Sequence, residues 1–150
     1  MTSNPTNSIT PCLWCKDDAL EKAEYYCSIF PNSKILSQYP VMVAFELNGT
    51  KFQALNGGVD FVYNESISFT IDCKDQAEVD HYWDTFIADG GKAQDCAWCM
   101  DKWGMRWQIV PRRLGELMMD SDKEKAGRVM QAMMKMQKII VADLEAAYDQ

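Results

Sequence analysis

The sequence has one histidine, no membrane-length apolar run and no basic cluster, and each shortage removes a class of function. The histidine, His81, lies in a stretch of helical periodicity with no serine or cysteine partner evident, so a nucleophilic triad is not supported. It reads as a residue at the solvent edge of a helix. No apolar stretch approaches the ~20 residues needed to span a bilayer. Residues 1–8 (MTSNPTNS) have neither a positive n-region nor an apolar h-region, and are expected to be a disordered lead rather than a signal peptide. Asp and Glu outnumber Lys and Arg 22 to 15, for a net charge of −7, and the basic run Arg112-Arg113 is too short to form a phosphate-binding face. Nucleic acid and membrane are therefore excluded as partners. The expected compartment is the cytoplasm, with reduced thiols.

What is present describes one globular domain. One hundred and fifty residues can bury a sizeable core, and 47% hydrophobic with 25% charged residues rules out disorder and fibre. The methionines gather late, at Met118, Met119, Met130, Met133, Met134 and Met136, where adaptable packing or an interface is expected.

Along the chain, Ile9–Cys15 alternates as a strand. Asp17 and Asp18 offer N-caps, with Glu21 as the capping-box partner, to a helix whose stripe is Leu20, Ala23, Cys27 and Phe30 and which Pro31 stops. Strands are expected at 33–39 and 41–47, then a hairpin turn at Asn48-Gly49 and a return strand at 51–55. The pattern then repeats. Residues 66–73 alternate, with Ile67, Phe69 and Ile71 on one face and Ser66, Ser68 and Thr70 on the other. Asp75 caps a helix with Val79, Tyr82, Trp83, Phe86 and Ile87 on one side, and Gly90-Gly91 closes it. Three short strands follow to Pro111, the last two joined at Asp101-Lys102-Trp103-Gly104. In the last strand Arg106 and Gln108 share one face, Trp107 and Ile109 the other.

Cys15-Lys16-Asp17 echoes Cys73-Lys74-Asp75, and Phe52-Gln53 echoes Trp107-Gln108. The expectation is an α+β chain of two βαβββ modules, at about 9–58 and 64–111, within a paired unit at 9–111. Residues 112–150 extend the same domain as a helical tail. Asp120-Ser121-Asp122 caps a helix bearing Val129, Met130, Met133, Met134 and Met136; residues 138–141 look strand-like, and 143–148 form a last amphipathic turn or two. A tail this apolar must dock on its own chain or on a second copy.

Several motifs carry a family likeness: ITPCLW at 9–14, YYCSIFPNSKI at 25–35, FQALNGG at 52–58, NESISFTIDC at 64–73, DKWGMRWQIVP at 101–111 and RVMQAMMKM at 128–136. On these the chain resembles the vicinal oxygen chelate superfamily of glyoxalases, dioxygenases and bleomycin-resistance proteins. Within it, the likeness is to the PhnB-like branch, which carries a 3-demethylubiquinone-9 3-methyltransferase label. The resemblance implies two βαβββ modules forming a curved mixed sheet around a cleft, in a homodimer. It fixes little about activity. In the metal-dependent members the ligand positions would fall near Thr10, Gln53 or Ala54, Ser66 and Gln108, none of which is His, Asp or Glu. No metal and no cofactor are expected. The methyltransferase label also lacks support, because a methyl donor calls for a Gly-rich turn between strand and helix, whereas Asn56-Gly57-Gly58 lies between two strands.

Two CxxC pairs, Cys12/Cys15 and Cys96/Cys99, leave a zinc site, a redox disulfide and plain thiols open. Both pairs are expected on strands, where residues three apart face opposite ways, so one metal could not easily collect all four. Asn64-Glu65 is either a turn or an acid at the mouth of the cleft.

The remaining feature is a face. Strand parity puts Thr10, Cys12, Trp14, Ser66, Ser68, Thr70, Trp98, Arg106 and Gln108 on the concave side; Gln53 joins them by likeness to Gln108, and Asn56 is taken as a further ligand-binding residue. Aromatic residues with a few convergent polar groups describe a small-molecule pocket. The expected function is metal-independent binding of a small, partly aromatic, anionic molecule: Arg106 pairs with the anion, Trp14 and Trp98 stack, and Gln53 and Gln108 orient polar atoms. The alternative is a lyase- or isomerase-type enzyme working through a cleft cysteine, Cys12 or Cys96, or through an acquired divalent metal. A third reading is an interaction module whose Met-rich tail covers a partner.

Overall fold

The computed structural model describes residues 8–150, so the expected lead falls, apart from Ser8, outside the described residues. The chain divides after Phe61 into two compact units. In the first, β1 (Cys12–Cys15) leads to α1 (Ala19–Ile29), then β2 (Lys34–Gln38), β3 (Met42–Leu47) and β4 (Thr50–Asn56). The sheet order is β1-β4-β3-β2, with β1 parallel to β4 and the other pairs antiparallel. The β3–β4 hairpin turns at Asn48 and Gly49, both at positive φ, as the Asn-Gly pair requires. Helix α1 packs on β2, β3 and β4 and buries Leu13, Cys15, Val43, Phe45, Leu47, Phe52 and Ala54.

The buried stripe of α1 is Ala19, Lys22, Ala23, Tyr26 and Ile29, rotated from the expected Leu20, Ala23, Cys27 and Phe30. The expected capping chemistry is also absent. Asp18 is the N-cap residue but makes no side-chain cap bond, and the Ala19 amide donates instead to Asn56 Oδ1 at 2.9 Å. That bond from the end of β4 anchors the start of the helix and so helps set which side it turns to the sheet. Lys22 is buried along its stem, with its ammonium 3.4 Å from Asp18.

The second unit repeats the plan. Strand β5 (Phe69–Cys73) precedes α2 (Gln76–Ala88), β6 (Lys92–Ala93), β7 (Trp98–Met100) and β8 (Arg106–Pro111), in the order β5-β8-β7-β6 with β5 parallel to β8. Two βαβββ modules are thus present, each with its own four-stranded mixed sheet. Asp75 caps α2 by accepting from the Glu78 amide, and Gly90 takes the left-handed position after its end. Val79, Tyr82, Trp83 and Phe86 of α2 are buried as expected, Phe86 stacking on Trp107 at 5.2 Å.

Three expectations change here. Strand β5 begins at Phe69 rather than Ser66, because Asn64 Oδ1 accepts the Ser66 amide and ties 64–66 into a turn; Ile67 is left exposed. The stretch 138–141 is not a strand: Ile139 is fully buried in the tail core and Val141 opens a helix. In the tail helices α3 (Arg112–Met118), α4 (Lys123–Met134) and α5 (Val141–Tyr148), Met130 and Met134 point outward, while Ala126 and Val129 are buried.

The tail docks on its own chain. Leu114, Leu117, Val129, Ile139 and Leu144 form one core with Ala97, and Val110 packs against it. The Cys96 and Ala97 amides donate to the Met136 and Gln137 carbonyls. On α2, Gln76 donates to the Ile139 carbonyl and accepts the Val141 amide, while the Lys138 ammonium lies 2.9 Å from both Asp80 and Asp84. Among the described residues no helix is long and apolar enough to cross a membrane.

Candidate functional site: the sheet faces turned away from α1 and α2

Each sheet turns one face to its own module's helix and the other away from it; in the second unit the tail core packs on that other face at Val110. In the first unit the register aligns Cys12, Gln53, Ala44 and Ser37 in one row across all four strands of that second face. In the second unit Thr70, Gln108 and Trp98 form the corresponding row, and Gln94 extends it by donating its backbone N–H to the Trp98 carbonyl. The repeat therefore places Gln53 and Gln108 at equivalent positions, both half-buried. Phe52 and Trp107, the residues before them, are buried under the helices. Strand parity read from sequence holds for this pairing.

In the first unit, Thr10 is half-buried ahead of β1, and Cys12 is exposed in the row beside Gln53. Trp14 shares that face but is engaged locally. Its indole N–H donates to the Val59 carbonyl at 2.7 Å, its ring lies 5.0 Å from Phe61, and a Cβ on Gly57 would sit 2.0 Å from it. The expectation of a freely stacking Trp14 meets a side chain that clamps the 57–61 loop. Asn56 likewise corrects its expected role: its side-chain oxygen is spent on α1. The Gly57 and Gly58 amides donate to the Cys15 and Lys16 carbonyls, so this loop does not offer them to a cofactor phosphate or methyl donor.

In the second unit, Gln108 donates to Ser68 Oγ at 2.9 Å, tying the segment before β5 to β8. Ser66 sits in the preceding turn, exposed and off the strand. Trp98 is half-buried beside Gln108. Arg106 is nine-tenths buried, with 9% of its surface exposed, and is already partnered. One terminal nitrogen, Nη2, pairs with Glu65; the other, Nη1, donates to the Gly104 carbonyl and, at 3.4 Å, to the Tyr63 carbonyl. Its Nε, also buried, has no acceptor. The hydrogen bond from Arg106 holds the Glu65 carboxyl below its ordinary range.

The cysteines separate. Cys12 and Cys15 lie on opposite faces of β1, as expected. Cys96 is not on a strand: Cys96 and Ala97 both have positive φ, and the Cys96 thiol meets the Met134 carbonyl of the tail. It therefore does not stand on the row with Gln108. Burial first, then Asp101, pushes the Cys99 thiol up to about 12, so it stays protonated at neutral pH. Cys73, buried at the end of β5, is pushed up to about 12 mainly by burial. Among the described residues no three His, Cys, Asp or Glu gather as a metal-holding group. The metal positions that the superfamily implies do not fit one either: Ala54 is buried under α1, Ser66 is a turn hydroxyl, and Gln53 and Gln108 are neutral amides.

Sequence reasoning missed Gln94, whose buried Oε1 has no donor, and Asp101, the only buried carboxylate among the described residues. Asp101 Oδ1 accepts the Trp103 and Met105 amides, and Oδ2 accepts the Trp107 indole N–H at 3.0 Å. It fixes the turn that aims Arg106. An aspartate opening a turn was visible in the sequence; its reach to Trp107 was not.

A family model described as 3-demethylubiquinone-9 3-methyltransferase matches residues 7–110. The chain belongs to that family. Its match covers both modules and ends before the tail. Solved structures, among them proteins described as glyoxalase/bleomycin resistance proteins, share the fold. A putative 3-demethylubiquinone-9 3-methyltransferase, PhnB protein, from Bacillus cereus aligns with a TM-score of 0.63 at 24% identity, covering 70% of this chain and 99% of that one. A glyoxalase/bleomycin resistance protein from Albidiferax ferrireducens T118 gives a TM-score of 0.53 at 11% identity, over 69% and 96% of the two chains. A glyoxalase/bleomycin resistance protein/dioxygenase family enzyme from Burkholderia phytofirmans PsJN gives 0.54 at 10%, over 67% and 94%. At these identities the likeness is one of fold. No curated protein matches this member of the family.

Proposed function

We propose that this protein is a metal-independent small-molecule-binding member of its family, working in the cytoplasm as a homodimer. The observation that carries the reading is the repeated placement of Gln53 and Gln108, half-buried amides at equivalent positions on the sheet faces turned away from α1 and α2. An amide presents both donor and acceptor, which suits orientation of a polar ligand better than tight metal coordination. Trp98 beside Gln108 supplies an aromatic surface, so the ligand class is a small molecule with a planar portion. Exposed Tyr39, Val41, Val59 and Phe61 of the first unit are apolar surface that a second copy would cover.

The test is native mass spectrometry of untagged protein purified without added metal or chelator. A metal-free dimer carrying an organic adduct is expected, and the adduct should be lost in Gln108→Ala and Trp98→Ala variants that remain folded. A metal adduct that chelation removes together with the ligand would sink the reading.

A second reading, a lyase- or isomerase-type enzyme, rests on Cys12, a free exposed thiol in register with Gln53. It requires that Cys12→Ser abolish turnover of the ligand found by mass spectrometry. Cys96, held against the tail, leaves that role.

A further inference from the structure

We infer that Glu65 is an internal stand-in for a carboxylate ligand, and that the ligand binds by displacing it from Arg106; this rests on the second sheet face being the binding face. A guanidinium recognises a carboxylate best through two parallel N–H donors, and the pair Nε and Nη2 forms one such fork. In this protein the fork is half used. Nη2 pairs with Glu65 Oε1, whereas the buried Nε has no acceptor. The other side of the guanidinium is committed to the Gly104 and Tyr63 carbonyls, which fix its plane.

The two members of the pair differ in what separation would cost. The Arg106 side chain is only 11% exposed, so leaving its charge without a counter-ion is unfavourable. The Glu65 side chain is 62% exposed and sits on the 64–66 turn, so its carboxylate is already largely hydrated. Glu65 can therefore leave at little cost, provided another anion arrives at Arg106. A ligand carboxylate that engages both Nε and Nη2 makes one bond more to this fork than Glu65 does. Gln108 lies two residues along the same face, Met100 is opposite Arg106, and Trp98 is opposite Gln108. The ligand class is thus a carboxylate borne on a flat apolar body.

The probes are benzoate and benzamide, of the same shape but different charge, titrated into the wild-type protein and Glu65→Gln. The substitution keeps an oxygen that can accept from Nη2 but removes the competing charge. Benzoate should bind Glu65→Gln roughly tenfold or more tighter than wild type, the value of one charge-assisted bond, while benzamide is unchanged. In the wild-type protein, nuclear magnetic resonance should show the Arg106 Nε–H signal shifting with benzoate and not with benzamide. Equal benzoate affinity in the two proteins, an equal gain for benzamide, an unmoved Nε–H signal or no benzoate binding to either protein would each overturn the exchange. None of these results touches the adduct experiment, which judges the binding reading separately.

Discussion

At the scale of single residues, charge and amide groups do more to shape the second unit than its apolar pattern suggests. Asp101 accepts three N–H groups from a position with 2% of its surface exposed. Asp101→Ala would remove the carboxylate that accepts from the Trp107 indole and two amides, at a cost of about 3 kcal/mol. Urea unfolding should read this as a lower midpoint with an unchanged slope; a loss below about 0.5 kcal/mol would mean that the turn holds itself. Glu65 behaves differently because it is exposed. Its carboxyl titrates below the usual value of 4.5, so its pairing with Arg106 is complete above the ordinary carboxylate range and is lost as pH falls through the lowered value. The parity that puts Arg106 and Gln108 on one face was legible in the sequence. The occupation of Arg106 by Glu65 was not, since it joins residues 41 apart through a loop without periodicity.

At the scale of elements, the modules were readable because their signals are local. Asn48-Gly49 sets one hairpin, Asp75 opens α2 and Gly90 closes it, and each does so by backbone geometry that a short stretch determines. The misreadings occur where a distant partner takes over. Helix α1 looked like a capping-box helix, but its first amide is held by Asn56, 37 residues on. Asn56→Ala should cost about 1 kcal/mol, the value of an N-cap, and leave ligand affinity unchanged. Thermal unfolding together with ligand titration checks both; a loss of affinity without a loss of stability would return Asn56 to the binding face. The same principle shortens β5, where an Asn64 side-chain bond outweighs the alternating pattern of 66–68.

At the scale of the whole molecule, a duplicated module is joined to an unduplicated tail, and the tail is held to the second unit by a polar latch as well as by its core. Burial works against the Lys138 charge, but Asp84 and Asp80 outweigh it and raise its pKa above the usual value. Hydrogen bonds from Lys138 and Gln76 lower that of Asp80 from 3.8. The stabilising contribution of Asp80 is therefore complete above its ordinary value and disappears as pH falls through the lowered one; that of Lys138 persists until pH rises through its raised one. The latch is closed throughout the neutral range and opens in acid. Lys138→Met imitates that opening at pH 7 by leaving Asp80 and Asp84 without their cation. Hydrogen exchange should then quicken at 139–148, where the Gln76 bonds to Ile139 and Val141 anchor α5, while the amides of β5 and β8 keep their protection. Uniform quickening across the unit would show the tail and sheet to be one cooperative body, with the tail core around Val129, Ile139 and Leu144 doing the holding and the latch adding little.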